Sequence, residues 1–147
     1  MPQNKIHFFL EGINYRIDNK GLIRQWLTKS ISTENKRVGE INIILCEDDY
    51  LHKMNLGFLD HDTLTDIITF DNSSEGVISG DVFISITRVK ENANTYSETI
   101  KEELHRVTIH GILHLCGYGD KTETEKELMT SMENYYLAER PYKLMHS

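Results

Sequence analysis

Apolar residues recur along this chain with two rhythms, a period of about 2 and a period of about 3.6, and the changes of rhythm mark its elements. Ile6 to Leu10 reads as a first strand, with an extension through Gly12 into INYRI as the longer alternative. Leu22, Ile23, Trp26, Leu27 and Ile31 repeat at helical spacing behind Asp18, which predicts a helix capped by that aspartate. Val38 to Cys46 is rich in β-branched residues and sets Ile41, Ile43 and Leu45 on one face of a strand. Asp48 to Leu56 suits a short helix. Two further strands are predicted over Asp66 to Phe70 and Asp81 to Ile86, separated by the turn-rich DNSSEGVISG. From there the rhythm stays helical to Glu139, interrupted at Gly117 and Gly119. Thr95 and Glu98 have the spacing of a capping box for the helix carrying Ile100, Leu104 and Val107. Alternation early and helices late predict a single α+β domain (α/β-like) over residues 1–147. Its core would be a small mixed sheet of about four strands packed with about five helices, the helix of His110 and His114 central.

Composition agrees with a packed domain: 39% of the 147 residues are hydrophobic and 27% charged. No apolar run approaches the ~20 residues of a membrane span. The opening MPQNKIHFFLEG lacks the basic, apolar and small-residue order of a signal peptide. A cytoplasmic location without membrane contact is therefore expected. Cys46 and Cys116 form no CxxC pair and sit in apolar runs, as buried reduced thiols do. The formal net charge of −7 matters for partners. A nonspecific nucleic-acid binder is usually basic, so an acidic chain binds RNA only through a local basic surface or a metal. The local basic residues are Lys36 and Arg37 before a strand, Arg88 and Lys90 after one, and Arg106 on the histidine helix. Each reads either as an ordinary solvated cation or as an RNA contact. Met129, Met132, Tyr135 and Tyr136 repeat at helical spacing and read as core.

The chemistry concentrates in HRVTIHGILHLCGYGD, residues 105–120. His110 and His114 stand at i and i+4, one turn apart on one helix face, where two imidazoles can share a metal. Gly117 is the natural position for the left-handed turn that ends the helix, and a residue just beyond it can fold back toward the ion. Asp120 is that residue. It also fits an N-cap with Glu123, but Thr122 and Glu125 make the better capping box, which would leave Asp120 free to ligate. Two histidines, one carboxylate and a water form the open coordination sphere of a catalytic metal. A peptidase of the HExxH pattern needs a glutamate after the first histidine, and Gly111 stands there instead. That reading would need a glutamate from elsewhere.

HGILHLCGYGD resembles the HGxLHLxGxDH signature of the YbeY family of metal-dependent endoribonucleases, which act in ribosomal RNA maturation. Upstream, Thr65 to Phe70 is similar to that family's TDVLSF segment, and Gly80 to Ser85 to its GDIxIS strand. The resemblance runs along nearly the whole chain. It implies one Zn2+ ion on His110 and His114, with single-stranded RNA, ribosomal RNA and the small ribosomal subunit as partners. The family's third ligand is a histidine; without a gap that position is Asp120, and with a gap at Gly119 it is Lys121, a poor ligand. Asp for His should alter site charge and metal preference, with other divalent ions possible. Leu59 stands where the family carries an arginine that contacts phosphate. His61 is then a candidate proton donor, and Asp66 either supports a ligand histidine or caps a strand. Three readings follow: a metal-dependent endoribonuclease, a non-catalytic ribosome assembly factor with a structural metal, and a metallopeptidase.

Overall fold

Strand alternation sorts the side chains into two layers. The computed structural model describes residues 5–59 and 66–146. In β2 (Arg37–Cys46), Ile41, Ile43 and Leu45 are fully buried on one face, as their period of two demands. β2 is the second strand of a four-stranded mixed sheet ordered β1-β2-β4-β3. β1 (Ile6–Leu10) and β4 (Val77–Ser85) pair with it in parallel, while β3 (Ile67–Asp71) runs antiparallel on the outer side of β4. The parallel neighbours β1 and β2 require a crossover, supplied by α1 (Lys20–Thr33). α2 (Asp48–Leu59) leads from β2 toward β3.

One sheet face carries the main core. Ile23, Trp26, Leu27 and Ile31 of α1 meet Ile41, Ile43 and Leu45, and Val82 and Ile84 of β4. The same cluster takes in Leu104, Val107, Ile109 and Ile112 of α4 (Ile100–Leu115) and Met129, Tyr136 and Leu137 of α5 (Glu123–Ala138). The opposite face holds a smaller cluster of Cys46, Leu51 and Ile68 under α2, with Phe70 and Phe83 packed edge to face against one another. α3 (Ile86–Thr95) and a short α6 (Tyr142–Met145) complete the described helices. The α+β class, the mixed sheet and the central position of the histidine helix are as the sequence predicts.

Several boundaries differ. Residues 13–19 carry no strand, so the longer version of β1 is not formed. The N-cap of α1 is Asn19, in the left-handed region at φ 59° and making no side-chain cap; Asp18 pairs with Arg16 at 3.1 Å instead. β4 begins at Val77, inside the segment read as turn, because Val77 and Ile78 pair with Arg37 and Val38. The long helical stretch is broken between α3 and α4. Thr95 ends α3, Ser97 turns the chain at φ 56°, and Thr99 caps α4 by accepting the amide hydrogen of Glu102 at 3.0 Å. The capping box at Thr95 and Glu98 is thus not used. Thr99 and Glu102 share its spacing, four residues later, and that is where the chain emerges from the turn.

Candidate metal centre

α4 presents His110 and His114 on one face because they lie one turn apart, and Gly111 brings that helix close to the sheet. A Cβ on Gly111 would stand 2.8 Å from both Ile67 Cδ1 and Val82 Cγ1. The position of the peptidase glutamate therefore faces the sheet, away from the histidine pair. Gly117, at φ 110°, provides the reversal after α4 that only glycine adopts readily. Thr122 then caps α5 with a reciprocal capping box to Glu125. Asp120 is left out of that cap, and its carboxylate returns to the histidines.

His110 Nε2, His114 Nε2 and Asp120 Oδ2 converge. The two Nε2 atoms are 2.9 Å apart, and Asp120 Oδ2 lies 3.3 Å from the first and 3.1 Å from the second. Among the described residues these are the group of histidine, cysteine and carboxylate side chains able to hold one metal ion. A tetrahedron with bonds of ~2.0 Å has edges of ~3.3 Å, close to these separations. The remaining ring nitrogens are already engaged. His110 Nδ1 donates to Glu133 Oε2 at 2.6 Å, and His114 Nδ1 donates to the carbonyl of Tyr118 at 2.9 Å. With hydrogen on each Nδ1, the Nε2 atoms of the neutral rings present bare lone pairs to one another and to a carboxylate. Three acceptors so close repel unless a cation sits among them, so the donor set fits a metal ion. Side-chain exposures of 21% and 22% for the histidines and 40% for Asp120 leave the convergence point open to solvent on one side.

The surroundings are strongly acidic. Burial opposes charge on the His110 ring, but its hydrogen bond to Glu133 and the charges of Glu133, Asp120 and Asp66 outweigh it, and its pKa is raised. Arg106 donates to Glu133 Oε1 at 2.9 Å, so both oxygens of Glu133 are occupied. Asp66 sits at the mouth of β3. Burial raises its pKa, the field of His110 lowers it, and Glu133 and Asp120 add to the rise. His61 lies outside the described residues. The thiol of Cys116, near the end of α4, is pushed by burial up to about 11 and stays protonated at neutral pH; Cys46 is held up to about 12 for the same reason.

Sequence reasoning missed Glu133 and the Tyr118 carbonyl. Glu133 was nevertheless signalled: it falls on the buried stripe of Met129, Tyr136 and Leu137, where an acid needs a partner. Of the local basic residues, Arg88 is tied to Asp48 and Glu91, and Arg106 to Glu133.

Fold and site together define a class: a small α+β domain whose central helix carries two of the three donors of a metal-binding cluster. A family model described as endoribonuclease YbeY matches residues 11–140. An endoribonuclease YbeY of Christiangramia forsetii is 49% identical over 94% of this chain and 96% of its own. That of Cytophaga hutchinsonii is 50% identical over 97% of this chain and 100% of its own. The solution structure of TM1509 from Thermotoga maritima superposes with a TM-score of 0.64 at 30% identity, covering 91% of this chain and 87% of that one. The chain belongs to the YbeY endoribonuclease family. Among the described residues no helix is long and apolar enough to cross a membrane.

Proposed function

We propose that this chain is a metal-dependent endoribonuclease that hydrolyses single-stranded ribosomal RNA, with one zinc ion held by His110, His114 and Asp120. The observation that carries this reading is the convergence of three bare donor atoms within 3.3 Å, with both Nδ1 hydrogens committed elsewhere. Bound there, zinc supplies a Lewis acid for a phosphate oxygen and lowers the pKa of water toward ~7. The chain's own residues do the rest. Glu133 and the Tyr118 carbonyl fix the tautomer and the orientation of the two rings. Asp66, a half-buried carboxyl with a raised pKa in the field of His110 and Asp120, is suited to pass a proton to or from a reacting oxygen. His61 is proposed as a second proton carrier. Water attacks phosphorus and gives up a proton to a carboxylate such as Asp66, the bond from phosphorus to the leaving ribose oxygen breaks, and that oxygen takes up a proton in return.

The test measures metal content and RNA cleavage together on purified wild-type protein and on His114→Ala. The expected result is loss of both with the circular dichroism spectrum unchanged. Cleavage that survives in His114→Ala defeats the assignment. Metal binding without cleavage in the wild type would favour the assembly-factor reading, which Leu59 in place of arginine and the acidic net charge support. Products ending in a 2′,3′-cyclic phosphate would replace water attack by attack of the RNA 2′-hydroxyl.

A further inference from the structure

The chain carries a net charge of −7, yet among the described residues every charged side chain lining one surface groove is a cation. It encloses about 870 Å³ between α1 and the starts of β1 and β2. Lys5, Arg24, Lys29, Lys36 and Arg37 line it, and none of the described residues that line it is acidic. The hydroxyls of Thr28 and Ser32 and the amide of Gln25 also line it, offering further hydrogen bonds. Arg88, Arg106 and Arg140, outside the groove, are paired with carboxylates. Among the described residues, Lys5, Lys29, Lys36 and Arg37 enter no ion pair. Lys5, Lys29 and Arg37 are exposed. Arg24 is the fixed element of the wall: its Nε donates to the Ile6 carbonyl at 2.8 Å, and its guanidinium lies 5.2 Å from the centre of the Phe8 ring.

Like charges gathered without counter-charges repel one another and cost stability, so the arrangement calls for an anionic occupant. Five cations lining one groove, with two hydroxyls among the other lining groups, suit a string of phosphates better than one small anion. A chain of hydrogen bonds links the segment beside the groove to the proposed metal centre. Glu34, two residues before Lys36, accepts hydrogen bonds from the hydroxyls of Tyr118 and Tyr136, and the Tyr118 carbonyl accepts from His114. We infer that this groove binds the sugar–phosphate backbone of RNA away from the cleavage point and holds the substrate by its charge. The inference rests on the reading of the chain as an enzyme of RNA.

The test reads binding alone, with the full chain in chelator so that metal-dependent cleavage is silent. The probe is a fluorescently labelled single-stranded RNA of about 20 nucleotides, followed by anisotropy across a salt series. Lys29, Lys36 and Arg37 are changed to alanine together. A control replaces Arg16, Lys126 and Lys143, which removes the same charge from other surfaces. The expected result is at least tenfold weaker binding for the groove variant at ~0.1 M salt. Its salt slope should be shallower by about 2, at ~0.7 per lost phosphate contact. The control should stay within about twofold of wild type. Lys29→Glu alone should weaken binding in the same direction. Equal affinities and slopes for groove and control variants overturn the inference, as does absence of RNA binding by the wild type. A groove variant that loses poly-glutamate binding while keeping RNA binding would assign the groove to an acidic protein surface and overturn it too. None of these outcomes depends on whether His114→Ala abolishes cleavage, so the two readings fail separately.

Discussion

At the scale of single residues, the proposed metal centre depends on which nitrogen of each histidine carries hydrogen. Glu133 and the Tyr118 carbonyl decide that, one through a 2.6 Å bond and one through a 2.9 Å bond. Asp120 adds the only negative charge among the three donors, so its removal costs both a ligand atom and charge balance. Asp120→Ala should therefore bind less than the wild-type complement of metal after dialysis against a weak chelator, measured by elemental analysis. Asp120→His, which restores a nitrogen donor, should recover most of it. In the same assay Glu133→Gln should lower metal affinity by roughly 10- to 100-fold, the usual effect of losing a carboxylate behind a ligand histidine. Full occupancy in Asp120→Ala would reduce that residue to an ordinary loop carboxylate. Because the His110 pKa is raised in the metal-free protein, a proton competes with the ion there. Apparent metal affinity should accordingly climb as pH rises past the ordinary histidine range.

At the scale of elements, α4 is held against β3 and β4 by a missing side chain. Gly111→Ala adds a methyl group that would lie 2.8 Å from Val82 Cγ1, a fully buried β-branched atom with little room to give. Alanine improves helix propensity by ~1 kcal/mol, but over-packing of this kind costs ~1–3 kcal/mol, and the rigid neighbour favours the larger figure. A net loss of about 1–2 kcal/mol in urea unfolding is expected, with weaker metal binding because the helix carrying both ligands must move. Stability equal to or above wild type would mean that α4 is not seated against the strands as described. The same helix shows what was legible in advance. His110 and His114 could be read because their relation is local, one turn of one helix. Asp120 could be read because Thr122 and Glu125 supplied a better cap. The start of α4 could not, since two boxes of equal spacing compete, at Thr95 and at Thr99, and only the turn at Ser97 chooses. Glu133 lies 23 residues from the histidine it holds, and β4 is inserted between β2 and β3 although it follows both in sequence. Such relations are settled by packing, which no local pattern contains.

At the scale of the molecule, a second buried polar network ties α1, α4 and the end of α5 together, and it contributes to how the fold responds to acid. Arg140 donates to His105 Nδ1 at 2.8 Å, to Glu102 Oε2 at 3.0 Å and to the Leu137 carbonyl at 2.7 Å, while Trp26 donates to the Tyr136 carbonyl at 2.8 Å. Burial, with the positive charge of Arg140 beside it, lowers the His105 pKa from 6.5 to about 4. Between those two values the unfolded chain takes up a proton that the folded chain refuses, so stability falls as pH drops from 6.5 to about 4. The limiting slope for one such group is ~1.4 kcal/mol per pH unit. Glu102 acts in the same direction. Burial raises its pKa, but the hydrogen bond and charge of Arg140 bring it below the ordinary value, and its contribution is lost as pH falls through that lowered value. His110 acts oppositely. Its raised folded pKa gives a contribution complete below the ordinary histidine value and lost as pH rises through the folded one. The raised pKa values of Asp66 and Glu103 oppose the His105 effect over this range, so the test is the difference: in chelator, the stability of wild type relative to His105→Gln in urea unfolding should fall as pH drops from 6.5 toward 4. That variant keeps an acceptor for Arg140 but removes the titrating ring. Parallel curves for the two proteins would mean that His105 is protonated in the folded state, against a guanidinium 2.8 Å away, and the acid response would then have to arise from carboxylates alone.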